Sequence, residues 1–277
     1  MWKRRRLDLD GVGSPAAIAA KILEVEPELA LAIPLEPLCG SLDIGSITQV
    51  DTDGFEAALV MDVNKAAGAI LLASNRSPQR RRYSIAHELG HFPIPTHRPD
   101  AANGFECQLD DLHRVNVAEQ NHRRRIAAEA NRFAAALLMP TARVRSRIGS
   151  APNLADIVRL ARDFDVSKEA MARTYVEASR EAISVLILQR GRILRIYKSQ
   201  DFPWIALSIG QTVPVNSIAS EIRQPQSLSD PDERDPDIWL TERDSRRTEL
   251  LLEQVLGQAA GFAMVLLHAE LAEDDDE

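Results

Sequence analysis

The chain has 277 residues, of which 45% are hydrophobic and 27% are charged, and its formal net charge is -8. This length allows a sizeable core and more than one domain. The composition excludes an intrinsically disordered protein, and the negative net charge argues against a general nucleic-acid coat protein. The sequence has two cysteines, no apolar run long enough for a membrane span and no apolar stretch after its basic start. We therefore expect a cytoplasmic protein with no membrane span and no disulfide framework.

The first predicted elements are a helix and a β-hairpin. Residues 15–28 (PAAIAAKILEVEPE) have apolar side chains at helical spacing with a proline near the end, which predicts an amphipathic helix. Two short apolar runs follow, at 56–62 (EAALVMD) and 68–73 (GAILLA). Because polar residues separate them, a hairpin is the simplest interpretation.

Two longer helices are predicted next. Ser77 followed by Pro78 provides an N-cap and a proline at the first helical position, so we expect a helix that begins there and ends before Pro93. Residues 121–138 carry one broad apolar stripe and are followed by Pro140. This pattern predicts a second helix.

The second half of the chain changes from helix to strand. Residues 153–179 predict two helices around a tight turn. The β-rich runs 183–188 and 193–197 predict a hairpin in a separate domain. Residues 250–267 (LLLEQVLGQAAGFAMVLL) are ambiguous, because leucine and alanine favour a helix whereas the two glycines favour a strand pair.

The helix that begins after Ser77 contains the motif HELGH, which runs from His87 to His91. Histidines four residues apart lie on one face of a helix, so both imidazoles can bind one metal ion. Glu88 lies one residue further round, where a base can take a proton from a water molecule. With six histidines in the chain, a chance match to HExxH is expected about once in a hundred sequences. The motif therefore predicts a zinc site, and the alternative is a helix that carries these residues by coincidence.

A catalytic zinc needs a third protein ligand and keeps its fourth position open. His97 has the spacing of the long HExxHxxGxxH motif, but Ile94 occupies the position where that motif needs glycine for a sharp turn. Glu129 flanks the apolar stripe of the second helix, and a part-buried carboxylate there needs a charged partner. We therefore expect Glu129 to be the third ligand; the alternative is an ion pair with Arg125 or Arg132.

Two segments together carry a resemblance to a known family. RRRYSIAHELGHF, followed by EANRFAAALLMP, resembles the ImmA/IrrE family of metallopeptidases over about the first half of the chain. The resemblance implies zinc as the cofactor, His87, His91 and Glu129 as its ligands, and Glu88 as the general base. Ala127 occupies a position where many relatives have a second acidic residue, so the assignment of the third ligand depends on Glu129 alone.

The resemblance also implies an α+β fold in three parts. The first is a zincin-like metallopeptidase domain of helices and a small sheet, the second a helix-turn-helix-like helical segment, and the third a C-terminal mixed α/β domain similar to GAF folds. We assign them to residues 1–150, 151–180 and 181–277.

The helix-turn-helix-like segment raises the question of DNA binding. Residues 157–176 have the spacing of a helix-turn-helix. Glu169, Glu177 and Glu181 accompany its second helix, however, and carboxylates there repel phosphate. We favour a structural helix pair, with at most a weak contact with DNA.

These observations predict a zinc-dependent endopeptidase that acts on another protein. The resemblance implies that the substrate is a helix-turn-helix transcriptional repressor, cleaved in a regulatory or stress response. The hairpin before the active helix could hold the substrate as an added strand. Two alternatives stay open: a DNA-binding regulator with a structural or sensory zinc site, and an interaction module of a toxin–antitoxin pair.

Overall fold

The computed structural model describes residues 9, 11–24, 30–61, 64–98, 105–107, 122–221 and 225–272. The chain divides into two compact units. The first comprises Met1–Pro140 with Asp163–Ser167, and the second comprises Thr141–Arg162 with Lys168–Glu277. Both units contain helices and one sheet, so the predicted α+β class is confirmed.

Within the described residues, the first unit has four helices and a four-stranded sheet. In chain order its elements are α1 (Pro15–Glu24), α2 (Leu35–Ser41), β1 (Ile44–Val50), β2 (Ala57–Met61), β3 (Gly68–Ala73), α3 (Pro78–His91), β4 (Phe105–Cys107) and α4 (His122–Leu138). The strand order is β1-β3-β2-β4, with β1 parallel to β3 and the other pairs antiparallel. The predicted hairpin is therefore confirmed as β2 and β3, but the parallel strand β1 was not predicted.

Local sequence explains where α3 begins and ends. The Ser77 hydroxyl accepts a hydrogen bond from the backbone N–H of Arg80, and Pro78 occupies the first turn. The helix ends at His91, two residues before Pro93, as predicted. It packs against α4 on one side and against β2 and β3 on the other, so its C-terminal half lies inside the unit.

The second unit consists of short helices around a five-stranded antiparallel sheet. Its elements are α5 (Thr141–Arg145), α6 (Leu154–Asp163), α7 (Lys168–Ala178), β5 (Ala182–Gln189), β6 (Arg192–Lys198), α8 (Ile218–Glu221), β7 (Asp232–Glu233), α9 (Glu242–Ser245), β8 (Thr248–Gly257) and β9 (Phe262–Leu271). The strand order is β6-β5-β9-β8-β7. The ambiguous run 250–267 is a strand pair, because Ala260 and Gly261 both take positive φ and turn the chain between β8 and β9.

Two features of the second unit bear on function. Its core contains Trp239 and Phe202 packed against β5, β8 and β9. Among the described residues, no helix is both long and apolar enough to cross a membrane.

Candidate metal centre

The motif HELGH lies in the interior of the first unit. His87 and Glu88 have no exposed surface, and His91 is 1% exposed. Burying polar side chains is unfavourable unless they are hydrogen-bonded or bind an ion. A helix that carried these residues by coincidence would be expected to turn them toward solvent, so their burial favours a working site.

A close contact between α3 and α4 brings the second motif to the first. A Cβ atom on Gly90 would lie 2.9 Å from Cδ1 of Phe133, which is shorter than such atoms tolerate. The glycine of HELGH therefore allows α4 to approach α3 closely. This approach places Glu129 and Asn131 beside the histidines.

The two histidines of the motif face each other through their Nε2 atoms. His87 Nε2 and His91 Nε2 are 3.2 Å apart, and the rings lie at 72°. Two nitrogens bound to one zinc at tetrahedral angles would be about 3.3–3.4 Å apart. The observed separation therefore suits two ligands of a single ion.

The tautomer of His87 follows from Asn131. The Oδ1 atom of Asn131 lies 2.9 Å from His87 Nδ1, and it also accepts a hydrogen bond from the Tyr83 hydroxyl at 3.0 Å. A carbonyl oxygen only accepts hydrogen bonds, so Nδ1 of His87 carries the hydrogen. This leaves the lone pair of His87 on Nε2.

The tautomer of His91 follows from Glu129 in the same way. Glu129 Oε2 lies 2.9 Å from His97 Nε2, and His97 Nδ1 lies 3.0 Å from His91 Nδ1. A carboxylate accepts, so Nε2 of His97 donates, and in the neutral His97 ring Nδ1 then accepts from His91. The lone pair of His91 is therefore also on Nε2, facing that of His87.

Two Nε2 atoms 3.2 Å apart whose lone pairs face each other require a positive charge between them or near them. A proton is a poor candidate, because burial lowers the pKa of His87 to about 3. Burial also lowers the pKa of His91 well below its ordinary 6.5. Neutral imidazoles with convergent lone pairs are the form that binds a metal ion, so this pair fits zinc.

The predicted third ligand, Glu129, lies at the edge of this cluster. Its side chain is 24% exposed, and its Oε2 pairs with His97. Among the described residues, no three His, Cys, Asp or Glu side chains form a ready group of metal ligands. The structure thus brings His87 and His91 together directly and connects Glu129 to them through His97, and Glu129 as a ligand stays a prediction.

Sequence reasoning missed the roles of Asn131 and His97. Asn131 is 1% exposed and His97 has no exposed surface. A signal for Asn131 was available, because it is a polar residue beside Ala130 in the apolar stripe of α4. His97 was considered as a direct ligand and not as a partner of the His91 ring, because spacing alone does not show which ring atom faces which partner.

A known peptidase family matches the part of the chain that contains the candidate metal centre. Residues 47–175 match the peptidase family model described as the IrrE N-terminal-like domain. The match covers just under half of the chain. The IrrE-like region contains α3 and α4 and therefore the whole candidate metal centre, and the resemblance to ImmA/IrrE proteins is confirmed.

A solved structure extends the likeness beyond the IrrE-like region. A Mycobacterium tuberculosis transcriptional regulator superposes with a TM-score of 0.55 at 17% identity, covering 92% of this chain and 75% of that chain. At this identity the likeness shows a shared fold. No curated protein matches the chain.

The second helix of the helix-turn-helix-like segment is engaged within its own unit. α7 packs against α5, β5 and β6. The Glu169 carboxylate accepts a hydrogen bond from the Tyr197 hydroxyl at 2.9 Å and pairs with Arg195 at 3.0 Å. This face of α7 therefore contacts protein, which supports a structural helix pair.

Proposed function

We propose that the protein is a zinc-dependent endopeptidase of the IrrE-like type that cleaves another protein. The observation that carries the proposal is the pair of buried Nε2 atoms of His87 and His91, 3.2 Å apart, with the fully buried Glu88 between these residues in sequence. The match of residues 47–175 to a peptidase family model supports the same function.

His87 and His91 would hold the ion, with Glu129 as the predicted third ligand. Bound zinc would supply Lewis acidity toward a peptide carbonyl and a water molecule. Glu88 would take the proton of the attacking water and deliver it to the leaving amine. Asn131 would keep the His87 tautomer that has its lone pair on Nε2.

The biological setting is proposed from resemblance. We propose a helix-turn-helix transcriptional repressor as substrate, in a regulatory or stress response in the cytoplasm. The similar structure is described as a transcriptional regulator, which is compatible with a setting in gene control. We also propose the three-part organisation, with residues 151–180 as a helix-turn-helix-like segment and residues 181–277 as a GAF-like domain.

Replacing Glu88 with glutamine tests the reaction. The variant should keep its zinc but lose about 10²- to 10⁴-fold in cleavage rate, because the amide cannot carry the proton. The measurement is cleavage of the repressor encoded beside the protein, followed by mass spectrometry of the new termini. Glu253→Gln is the matched control, because Glu253 is equally buried but lies in the second unit.

The same mixture separates the alternatives. A Glu88→Gln variant that cleaves at the wild-type rate would overturn the mechanism. A stable complex without cleavage would support the interaction module, and operator binding with steep salt dependence would support the DNA-binding regulator.

A further inference from the structure

His97 contacts the candidate centre from outside. Its ring has no exposed surface, and both of its nitrogens are engaged, Nδ1 with His91 at 3.0 Å and Nε2 with Glu129 at 2.9 Å. The contact with His91 is made at Nδ1, whereas the pair with His87 is made at Nε2. His97 therefore lies behind the His91 ring with respect to the ion position.

This placement distinguishes His97 from a third ligand. The long HExxHxxGxxH motif would bring its last histidine to the same ion as the first two. That ligand would have to face the Nε2 side of His91. Here the nearest nitrogen of His97 faces the Nδ1 side, which is where an outer partner orients a metal-binding imidazole.

Lys65 holds the loop that carries His97. Its ammonium donates to three backbone carbonyls, those of His91 at 3.0 Å, Phe92 at 3.2 Å and Ile94 at 2.8 Å. An ammonium group has three N–H donors, so these contacts can use all of them. The carbonyls of His91 and Phe92 lie at the C-terminal end of α3, where a helix leaves carbonyls without helical partners and a cation also complements the helix dipole.

The carbonyl of Ile94 connects the two residues. It accepts from Lys65 Nζ at 2.8 Å and from the backbone N–H of His97 at 3.2 Å. The turn between Pro93 and His97 contains two prolines, which have no N–H to hold it. Lys65 therefore supplies the polar contact that fixes the start of this turn.

We propose that His97 and Lys65 are a positioning pair for the ion site, in which His97 orients the His91 ring and Lys65 holds the loop that carries His97. The proposal rests on the proposed zinc site. Outer partners of metal-binding histidines fix the ring tautomer and orientation, and their loss typically lowers metal affinity about 10- to 100-fold.

The first measurement uses metal-free protein and needs no variant. Nitrogen-15 NMR of labelled histidine reports which ring nitrogen carries the hydrogen. The positioning pair predicts hydrogen on Nδ1 of His91 and on Nε2 of His97. A wild-type His91 with its hydrogen on Nε2 would overturn the proposal, whether or not the protein binds zinc.

The second measurement is Co²⁺ titration of metal-free variants, followed by the visible absorption spectrum and by Zn²⁺ competition with a chromophoric chelator. His97→Leu should bind about 10- to 100-fold more weakly but keep the band positions, because the ligands are unchanged. His97→Asn should recover most of the affinity, since its side-chain oxygen can accept from His91 Nδ1. A changed spectrum in both variants would make His97 a ligand and overturn the proposal.

Lys65→Met should weaken Co²⁺ binding in the same direction as His97→Leu. Its matched control is Lys198→Met, because Lys198 also donates to a backbone carbonyl, that of Phe202 at 3.1 Å, but in the second unit. Equal Co²⁺ affinity in both lysine variants would overturn the role of Lys65. Wild-type protein that binds neither metal would overturn the proposed function and the ion site together. Normal metal binding with the other His91 tautomer would overturn the positioning pair alone.

Discussion

The two units of the chain bury polar side chains in different ways. In the first unit, His87, His91 and His97 are buried side by side and contact one another through their rings. In the second unit, Glu253 is equally buried, but it accepts hydrogen bonds from the backbone N–H of Ala219 and from the indole of Trp239. The burial of Glu253 is explained by these hydrogen bonds, which connect parts of the fold.

The first arrangement is not explained by fold stability. Burying three neighbouring imidazoles costs free energy, because their polar ring atoms lose contact with water. Apolar side chains of similar volume would pack there without this desolvation cost. A buried polar cluster whose lone pairs converge is therefore evidence for a site, whereas a single buried carboxylate with backbone partners is evidence for architecture.

The largest effect is expected at the contact between α3 and α4. Phe133 is fully buried against Gly90, so Phe133→Ala should lower the free energy of unfolding by about 3–5 kcal/mol and release zinc. Phe202→Ala, which is similarly buried in the second unit, should be comparably destabilised but keep its zinc. Denaturant titration and zinc analysis check both variants. A Phe133→Ala protein with wild-type zinc content would show that this contact does not support the site.

The next effect contrasts the pH dependence of two buried glutamates. Burial tends to raise the pKa of Glu56, but hydrogen bonds from Arg80 and Arg76 outweigh burial and hold the pKa below 4.5. Burial raises the pKa of Glu253 above 4.5 despite its hydrogen bonds. Glu56 therefore contributes stability that is present above its ordinary pKa and lost as pH falls. Glu253 contributes stability that is present below its ordinary pKa and lost as pH rises through the raised pKa.

Glutamine at either position tests the opposite signs. Glu56→Gln should destabilise by about 2–4 kcal/mol at neutral pH, toward the lower end because both arginines reach solvent, and the deficit should shrink on acidification. Glu253→Gln should gain on the wild type as pH rises. Unfolding free energies measured between about pH 2 and about pH 8 decide it, because the loss at Glu56 falls below pH 4.5 and the loss at Glu253 above it. Parallel curves for the two variants would contradict the contrast.

Local signals predicted much of this fold. The N-cap Ser77 and the proline after His91 bounded α3 correctly, since caps and prolines act within a few residues. The parallel pairing of β1 with β3 was not predictable, because it joins Ile44–Val50 to Gly68–Ala73 across an intervening strand. Alternation along β1 says nothing about its partner.

The site shows the same limit. The four-residue spacing predicted that His87 and His91 lie on one face of a helix, because helix geometry relates residues that are close in sequence. The contact of His97 with Glu129 depends on a loop folded back by Lys65, 32 residues before His97, and no periodicity encodes such a contact. The sequence therefore predicted which residues form the candidate centre better than it predicted which of their atoms are in contact.

A smaller effect is expected at Asn131. Asn131→Leu removes the acceptor that holds the His87 tautomer, so zinc affinity should fall about 10- to 100-fold. Asn153→Leu is the control, because Asn153 makes a structural contact with the backbone N–H of Ala155 in the second unit. Zinc competition against a chelator measures both variants. Unchanged affinity in Asn131→Leu would show that the Nδ1 contact does not prepare His87 for the ion.

The smallest effect is expected at α7, which we predict to be a structural helix of the second unit and not a DNA-binding helix. Lys168 and Arg173 are the basic residues that a DNA-reading helix would turn to the groove, but Arg173 pairs with Glu177 at 3.1 Å and Glu169 is bound by Tyr197. Each phosphate contact that a variant removes lowers the salt slope of duplex binding by about 1. Because α7 is expected to make no phosphate contact, the double variant Lys168→Ala and Arg173→Ala should leave unchanged the slope of the logarithm of the duplex-binding constant against the logarithm of the salt concentration. A slope reduced by about 2 would mean that both side chains touch phosphate, and α7 would then be a DNA-binding helix despite its protein contacts.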